Sequence, residues 1–125
     1  MSEGSLNVLV VVEDDPDMRR LIRYILAADE RLNVTGEATT AEEAVRLARE
    51  LDPALIVLDH FLVGPVTGLK AAPMLREAAP RARIILFSSH DLTVEASQEP
   101  SVDVFLSKRQ VGSLLGVALE LLGLQ

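Results

Sequence analysis

Hydrophobic and polar positions alternate between two periodicities along the chain. Short runs of consecutive apolar residues, typical of strands buried on both faces, are separated by segments whose apolar residues recur every three or four positions, as in amphipathic helices. The predicted strands are Asn7–Val12, Leu32–Gly36, Ala54–Leu58, Arg83–Phe87 and Val102–Leu106. Five strands that alternate with about five helices predict an α/β fold with a parallel sheet covered on both faces.

The first two predicted helices begin at capping signals. Asp15 stands directly before Pro16 and is interpreted as the N-cap of a helix that runs to about Ala28. Thr40 and Glu43 form the ends of a capping box that opens the second helix, which ends before Asp52-Pro53.

The later helices have weaker signals. Pro73 predicts that the third helix begins late, near Ala72, because proline is tolerated only in a first helical turn. The segment 91–99 predicts a short, irregular helix or turn. A final helix is marked by apolar residues at helical spacing, namely Val111, Leu114, Leu115, Ala118, Leu119 and Leu122.

Composition narrows the class of protein. The 125 residues are 49% hydrophobic and 25% charged, which indicates one globular domain rather than a disordered chain. The absence of cysteine excludes disulfides, thiolate metal sites and cysteine nucleophiles. A net charge of −7 argues against direct binding to nucleic acid or to an anionic membrane. With no apolar run of about 20 residues and no signal peptide, we expect a cytoplasmic protein.

Polar residues follow the predicted strands at one edge of the sheet, where ligands of such folds bind. Glu13 and Asp14 end the first strand, Asp59 the third and Ser88 the fourth, while Lys108 follows the fifth. Clustered carboxylates repel one another unless they hold a cation, and a hard oxygen set suits Mg²⁺ beside a phosphate. These residue types predict phosphoryl transfer to an aspartate, with the metal, a hydroxyl and an ammonium group offsetting the phosphoryl charge.

In these segments the chain resembles the receiver domain of two-component response regulators, the family that includes the chemotaxis response regulator. The resemblance rests on VLVVVEDDPDMRRLI, VLD, FSS and DVFLSK, and it extends from about Asn7 to Leu122. It implies a flavodoxin-like three-layer sandwich with strand order 2-1-3-4-5, formed by a single domain over residues 1–125. It also implies a phosphorylation switch that uses Mg²⁺ and is served by a histidine kinase, a phosphotransfer protein or a small phosphodonor.

The resemblance assigns roles by position. Asp59 is the implied phosphoacceptor, and the implied metal ligands are Asp14, Asp59 and the backbone carbonyl of Phe61, with Glu13 acting through water. Ser88 is the implied switch hydroxyl, Phe105 the aromatic switch and Lys108 the lysine that senses the phosphoryl group. Because an apolar Phe61 cannot orient an attacking water, we expect slow self-dephosphorylation.

The chain departs from the family pattern in four places. Pro65 and Gly68 stand six and nine residues after Asp59, where the family usually has them at four and eight, so the loop is one residue longer. Lys108 stands only 20 positions after Ser88, which predicts a truncated fourth helix. The other two departures are Arg109, where many members have proline, and Glu13, where aspartate is commoner.

Several alternatives stay open at this stage. A receiver-like adaptor that binds proteins without phosphorylation is favoured by the longer loop and the short fourth helix. It is opposed by the complete set of Asp14, Asp59, Ser88 and Lys108. A flavodoxin-like cofactor binder is disfavoured because an acidic first loop repels phosphate. His60 and His90 lack the third partner of a zinc site. The last helix bears further apolar residues (Val117, Leu121 and Leu124), which predict either a homodimer or partner surface or packing on the domain itself.

Overall fold

The computed structural model describes residues 5–12 and 15–124. Within them the chain folds into five strands and five α-helices: β1 Leu6–Val11, α1 Pro16–Ala27, β2 Leu32–Ala38, α2 Ala41–Leu51, β3 Leu55–Asp59, α3 Gly68–Ala78, β4 Arg83–Ser88, α4 Thr93–Ser97, β5 Val104–Ser107 and α5 Leu114–Leu121. A 3₁₀ segment, Lys108–Ser113, joins β5 to α5.

The strands form one parallel sheet in the order β2-β1-β3-β4-β5. This order confirms the flavodoxin-like arrangement that the sequence predicts. β3 is the central strand, and all five of its residues are buried. The carboxyl end of β3 therefore lies in the middle of the edge at which the predicted site residues follow their strands.

Two apolar clusters cover the faces of the sheet and give the three layers. Alternate residues of β1 point to opposite faces, so that Leu9 and Val11 belong to one cluster while Val8 and Val10 belong to the other. The first cluster packs α2, α3 and α4 on the sheet, and the second packs α1 and α5. With little aromatic content, the core is aliphatic, and Phe87 is its one fully buried aromatic ring among the described residues.

Local capping explains where the first helices begin. The side chain of Asp15 accepts hydrogen bonds from the backbone N–H groups of Asp17 and Met18, which confirms it as the N-cap of α1. Thr40 accepts from the N–H of Glu43 in the same way at α2.

The predicted late start of α3 near Ala72 is wrong. The helix begins at Gly68, because Thr67 caps it by accepting a hydrogen bond from the N–H of Lys70 at 3.3 Å. Pro73 lies inside the helix at an exposed position, and its nitrogen has no hydrogen with which to make the usual helical hydrogen bond to the Leu69 carbonyl. The cap at Thr67 and the burial of one face of the helix against the sheet together outweigh the energetic cost of the proline.

The C-terminal region also differs in detail from its sequence pattern. Val111 lies in the 3₁₀ segment rather than in α5. Val117, Leu121 and Leu124 are half-buried and pack against the second apolar cluster, which favours packing on the domain over an exposed patch.

Strand β2 is longer than predicted and ends at Ala38. In the described part of the chain, no helix has the length and apolar character to cross a membrane.

Candidate functional site

Asp59 is the last residue of the central strand, and its side chain is only 2% exposed. Burying a carboxylate is costly unless a counter-charge or hydrogen-bond donors stabilise it. The ammonium group of Lys108 supplies that charge, with Nζ 2.7 Å from Oδ2 of Asp59. The structure thus brings together two of the predicted site residues in a pair that is largely shielded from water.

The second oxygen of Asp59 is less engaged. Among the described residues, the one hydrogen bond that Oδ1 accepts is a long one, 3.4 Å, from the backbone N–H of Phe61. It therefore keeps lone pairs available for a further ligand. A carboxylate oxygen of this kind, with a backbone carbonyl two residues further along the chain, is the hard oxygen chemistry that Mg²⁺ prefers, and the residues described here fit that ion. Glu13 and Asp14, the predicted acidic pair, lie outside the described residues.

Lys108 owes its position to the turn after β5. Ser107 ends the strand, and its hydroxyl accepts a hydrogen bond from the backbone N–H of Arg109 at 3.2 Å, which caps the 3₁₀ segment. A proline at position 109 would lack that N–H donor. Arg109, which stands where many family members have proline, therefore allows Ser107 to cap the 3₁₀ segment that contains Lys108.

Ser88 ends β4, the strand beside β3, and is fully buried. Its hydroxyl accepts a hydrogen bond from the backbone N–H of His90 at 3.1 Å. Ser89, the neighbouring hydroxyl, is exposed. Between the two candidate hydroxyls, only Ser88 lies inside the sheet edge next to Asp59.

Phe105 lies on β5 opposite Leu86 and is half-buried. It lines two cavities at the outer edge of the sheet, one of about 540 Å³ towards α4 and one of about 450 Å³ towards the loop after β4. The half-buried side chain of Phe105 thus borders open space at the surface of the domain.

The short α4, only five residues long, confirms the predicted truncation of this helix.

Phe61 lies among two histidines rather than in the core. Its ring makes edge-on contacts with His60 at 4.9 Å and with His90 at 4.7 Å between ring centroids, and its side chain is 43% exposed. Burial lowers the pKa of His60 from its ordinary value, while the nearby Asp59 carboxylate acts in the opposite direction. This contact among Phe61 and the two histidines was not foreseen from the sequence, because the three side chains come from two separate loops.

Gly68 is a second feature that sequence reasoning noted only as a departure in spacing. A Cβ added at this glycine would overlap the carbonyl oxygen of Asp59 and lie 2.9 Å from Cα of His60. Its backbone N–H donates to the His60 carbonyl at 2.7 Å. The start of α3 thus packs directly on the backbone of the candidate phosphoacceptor, where only glycine fits.

Comparison with known proteins decides the family. Residues 9–118 match the sequence profile of the response regulator receiver domain. The chain belongs to the receiver domain family. Receiver domains are regulatory domains that interact with histidine kinases and effector domains, and as a family they bind Mg²⁺ at their phosphorylation site.

Individual relatives agree with this assignment. The nitrate/nitrite response regulator NarL of Escherichia coli K12 is 31% identical over 110 residues, which cover 86% of this receiver domain and 50% of NarL. The chain thus spans about half the length of that relative and less of several others it matches.

Solved structures show the same fold. A LuxR-family response regulator from Aurantimonas is 27% identical, with a TM-score of 0.84 over 95% of this chain and 86% of that one. The response regulator domain of Thermotoga maritima CheB, 23% identical, superposes with a TM-score of 0.81 over 97% and 98% of the two chains.

Proposed function

We propose that residues 7–122 form a single receiver domain that works as a phosphorylation switch, with Asp59 as the phosphoacceptor. The observation that carries the proposal is the buried Asp59–Lys108 pair at the carboxyl end of the central strand. A carboxylate that is shielded from water, fixed by a strand and partnered on one oxygen is well placed for nucleophilic attack by the other.

The proposed step is an in-line transfer. One carboxylate oxygen of Asp59 forms a bond to phosphorus while the bond from phosphorus to the donor breaks, and the donor leaves with the bonding electron pair. The donor is a phosphohistidine of a histidine kinase or phosphotransfer protein, or a small acyl phosphate. Mg²⁺, when bound, offsets charge on the phosphoryl oxygens. Its proposed ligands are Asp14, Asp59 and the Phe61 carbonyl, with Glu13 acting through water.

Three further residues respond to the phosphoryl group in this proposal. Lys108 stays close to Asp59 and pairs with a phosphoryl oxygen, and Ser88 exchanges its hydrogen bond from His90 for one donated to the phosphoryl group. Movement of the loop after β4 then lets Phe105 turn inward from its half-buried position. The result is a population shift that changes the surface formed by α4 and β5.

The partners follow from the same proposal. A kinase or phosphotransfer protein supplies the phosphoryl group, and a downstream protein or effector domain reads the changed surface. Direct nucleic-acid or membrane binding is not part of the proposal, since the net charge is −7. A homodimer through α5 would use the exposed parts of Val117, Leu121 and Leu124, since the rest of these side chains packs against the second apolar cluster. In this proposal the domain has no separate substrate to convert, because every phosphoryl transfer it takes part in begins or ends on its own Asp59.

Intact mass spectrometry tests the proposal. Incubation with acetyl phosphate and Mg²⁺ should add one phosphoryl group, about 80 Da. The gain should vanish without metal and in Asp59→Asn. A chain that gains no mass under any of these conditions would instead be a receiver-like adaptor that acts without phosphorylation.

A further inference from the structure

The loop that follows Asp59, residues 60–67, is fastened to the end of β2 by one backbone hydrogen bond. The N–H of Val63 donates to the carbonyl oxygen of Thr39 at 2.8 Å. The side chain of Val63 is 44% exposed, so the attachment is made by its backbone rather than by side-chain packing. We call this hydrogen bond the loop clasp.

Neighbouring residues reinforce the loop clasp from both sides. Leu62 is buried in the first apolar cluster, and Gly64 follows Val63 with a φ of +99°, a conformation that favours glycine. Ala38, the residue before Thr39, makes a similar backbone hydrogen bond: its carbonyl accepts from the N–H of Val12, just after β1, at 3.1 Å. The consecutive residues Ala38 and Thr39 thus connect the end of β2 to two segments, the end of β1 and the loop after β3.

Within residues 5–12 and 15–124, Phe61 makes few strong contacts of its own. Its N–H makes the 3.4 Å bond to Asp59, and its ring lies at the surface in edge contacts with two histidines. The position of its carbonyl is therefore set by what fixes the chain on either side, namely Asp59 in β3 and the segment Leu62–Val63. A longer loop loses more conformational entropy when it becomes ordered, so a hydrogen bond that fixes its middle does more to keep the Phe61 carbonyl in one position.

We propose that the loop clasp holds the Phe61 carbonyl in place for the metal and so raises the affinity of the phosphorylation site for Mg²⁺. Val63 is thus a positioning residue that acts through its backbone N–H. This inference rests on the proposed function, since it assigns a role in metal binding to the same site. It adds that the end of β2, which supplies no ligand in the proposed site, contributes to metal affinity by holding that site in its binding geometry.

Two variants at one position isolate the hydrogen bond. Val63→Pro removes the donor, whereas Val63→Ala keeps it and shortens a side chain that is already exposed. Isothermal titration calorimetry with Mg²⁺ alone should show a dissociation constant about three- to tenfold higher for Val63→Pro than for wild type, the range that one net hydrogen bond accounts for. Val63→Ala should match wild type, and a saturating Mg²⁺ concentration should restore phosphorylation of Val63→Pro by acetyl phosphate.

A measurement on the unaltered chain guards against misfolding of the proline variant. Native-state hydrogen exchange should show the amide of Val63 protected despite its place in a surface loop, and more strongly protected at saturating Mg²⁺. An unprotected Val63 amide that does not respond to Mg²⁺ would overturn the inference, and so would equal Mg²⁺ affinities for Val63→Pro and Val63→Ala. If the wild-type chain binds no Mg²⁺ and takes up no phosphoryl group, the proposed function fails, and this inference fails with it.

Discussion

Lys108 Nζ lies 2.7 Å from Oδ2 of Asp59, although the two residues are 49 positions apart in the chain. Two strand ends bring them together: β3 ends in Asp59, and β5 ends one residue before Lys108. The carboxylate is almost fully buried, while 23% of the lysine side chain is exposed. Charge balance at the end of the central strand therefore depends on this one lysine among the described residues.

Removing Lys108 should destabilise the metal-free protein. In Lys108→Met the buried Asp59 carboxylate loses its counter-charge and its strongest hydrogen-bond donor, which should lower the free energy of unfolding by about 2 kcal/mol at neutral pH. Lys70→Met, at an exposed position on α3, should change it by less than about 0.5 kcal/mol. Urea unfolding without Mg²⁺ measures both, and equal stability of the two variants would show that the pair contributes nothing.

Adding a methyl group at Gly68 should disturb the phosphoacceptor. The Cβ of Gly68→Ala overlaps the Asp59 carbonyl, so the start of α3 must move away from β3, at a cost of about 1–3 kcal/mol. The matched control is Gly116→Ala in α5, where the added Cβ would meet no other described part of the chain within 4 Å beyond its own helix backbone. That substitution should stabilise the helix by about 0.5–1 kcal/mol. Thermal unfolding should show a lower melting temperature for Gly68→Ala and a higher one for Gly116→Ala. A higher melting temperature for Gly68→Ala would refute the close packing.

The aspartyl phosphate should be long-lived. Phe61 has no polar atom in its side chain with which to orient water towards phosphorus, so the phosphoryl group on Asp59 should decay over minutes or longer. Phe61→Asn supplies an amide at this position and should shorten the lifetime several-fold. Val63→Asn adds the same amide elsewhere in the loop and should leave it unchanged. Time-resolved intact mass after removal of the phosphodonor gives the decay, and a half-life of seconds in wild type would contradict the prediction.

The turn between α1 and β2 should add an acid-sensitive contribution to stability. Hydrogen bonds from the side chain and then the backbone N–H of Arg31 lower the pKa of Asp29 from 3.8 to about 2. Because the folded-state pKa lies below the ordinary value, the stabilisation is complete above pH 3.8 and is lost as the pH falls through about 2.

A substitution at this turn tests the sign. Asp29→Asn should lower the unfolding midpoint in urea at pH 5, and its difference from wild type should shrink as the pH approaches 2.5. Gln98→Ala, at an exposed position without a titratable side chain, should differ from wild type by the same amount at every pH. A difference for Asp29→Asn that stays constant over this range would rule out the ion pair as its cause.

The strands and the residues at their ends were predictable because both depend on local signals. Buried parallel strands have continuous apolar runs, and the carboxyl ends of such strands meet at one edge, so Asp59, Ser88 and Lys108 were expected near one another. Asp15 and Thr40 were expected as caps for the same reason. The order of the strands came from the resemblance to receiver domains, since periodicity alone does not specify neighbours.

Features that depend on distant contacts were missed. The rule that proline ends a helix is local, whereas α3 begins before Pro73 because Thr67 caps it and Gly68 fits against β3. The loop clasp is a bond between two backbones, which leaves no pattern in side-chain types. Val117 was placed on a face other than the core stripe by helical spacing, but the second apolar cluster extends far enough to contact it.

The central claim, that Asp59 accepts a phosphoryl group, is tested most directly by locating the modification. Borohydride reduction of the protein after incubation with acetyl phosphate and Mg²⁺ converts an aspartyl phosphate to homoserine, which peptide mass spectrometry assigns to one position. We predict homoserine at position 59 and an unmodified side chain at every other aspartate and glutamate. Unmodified Asp59, or homoserine at a different position, would contradict the account.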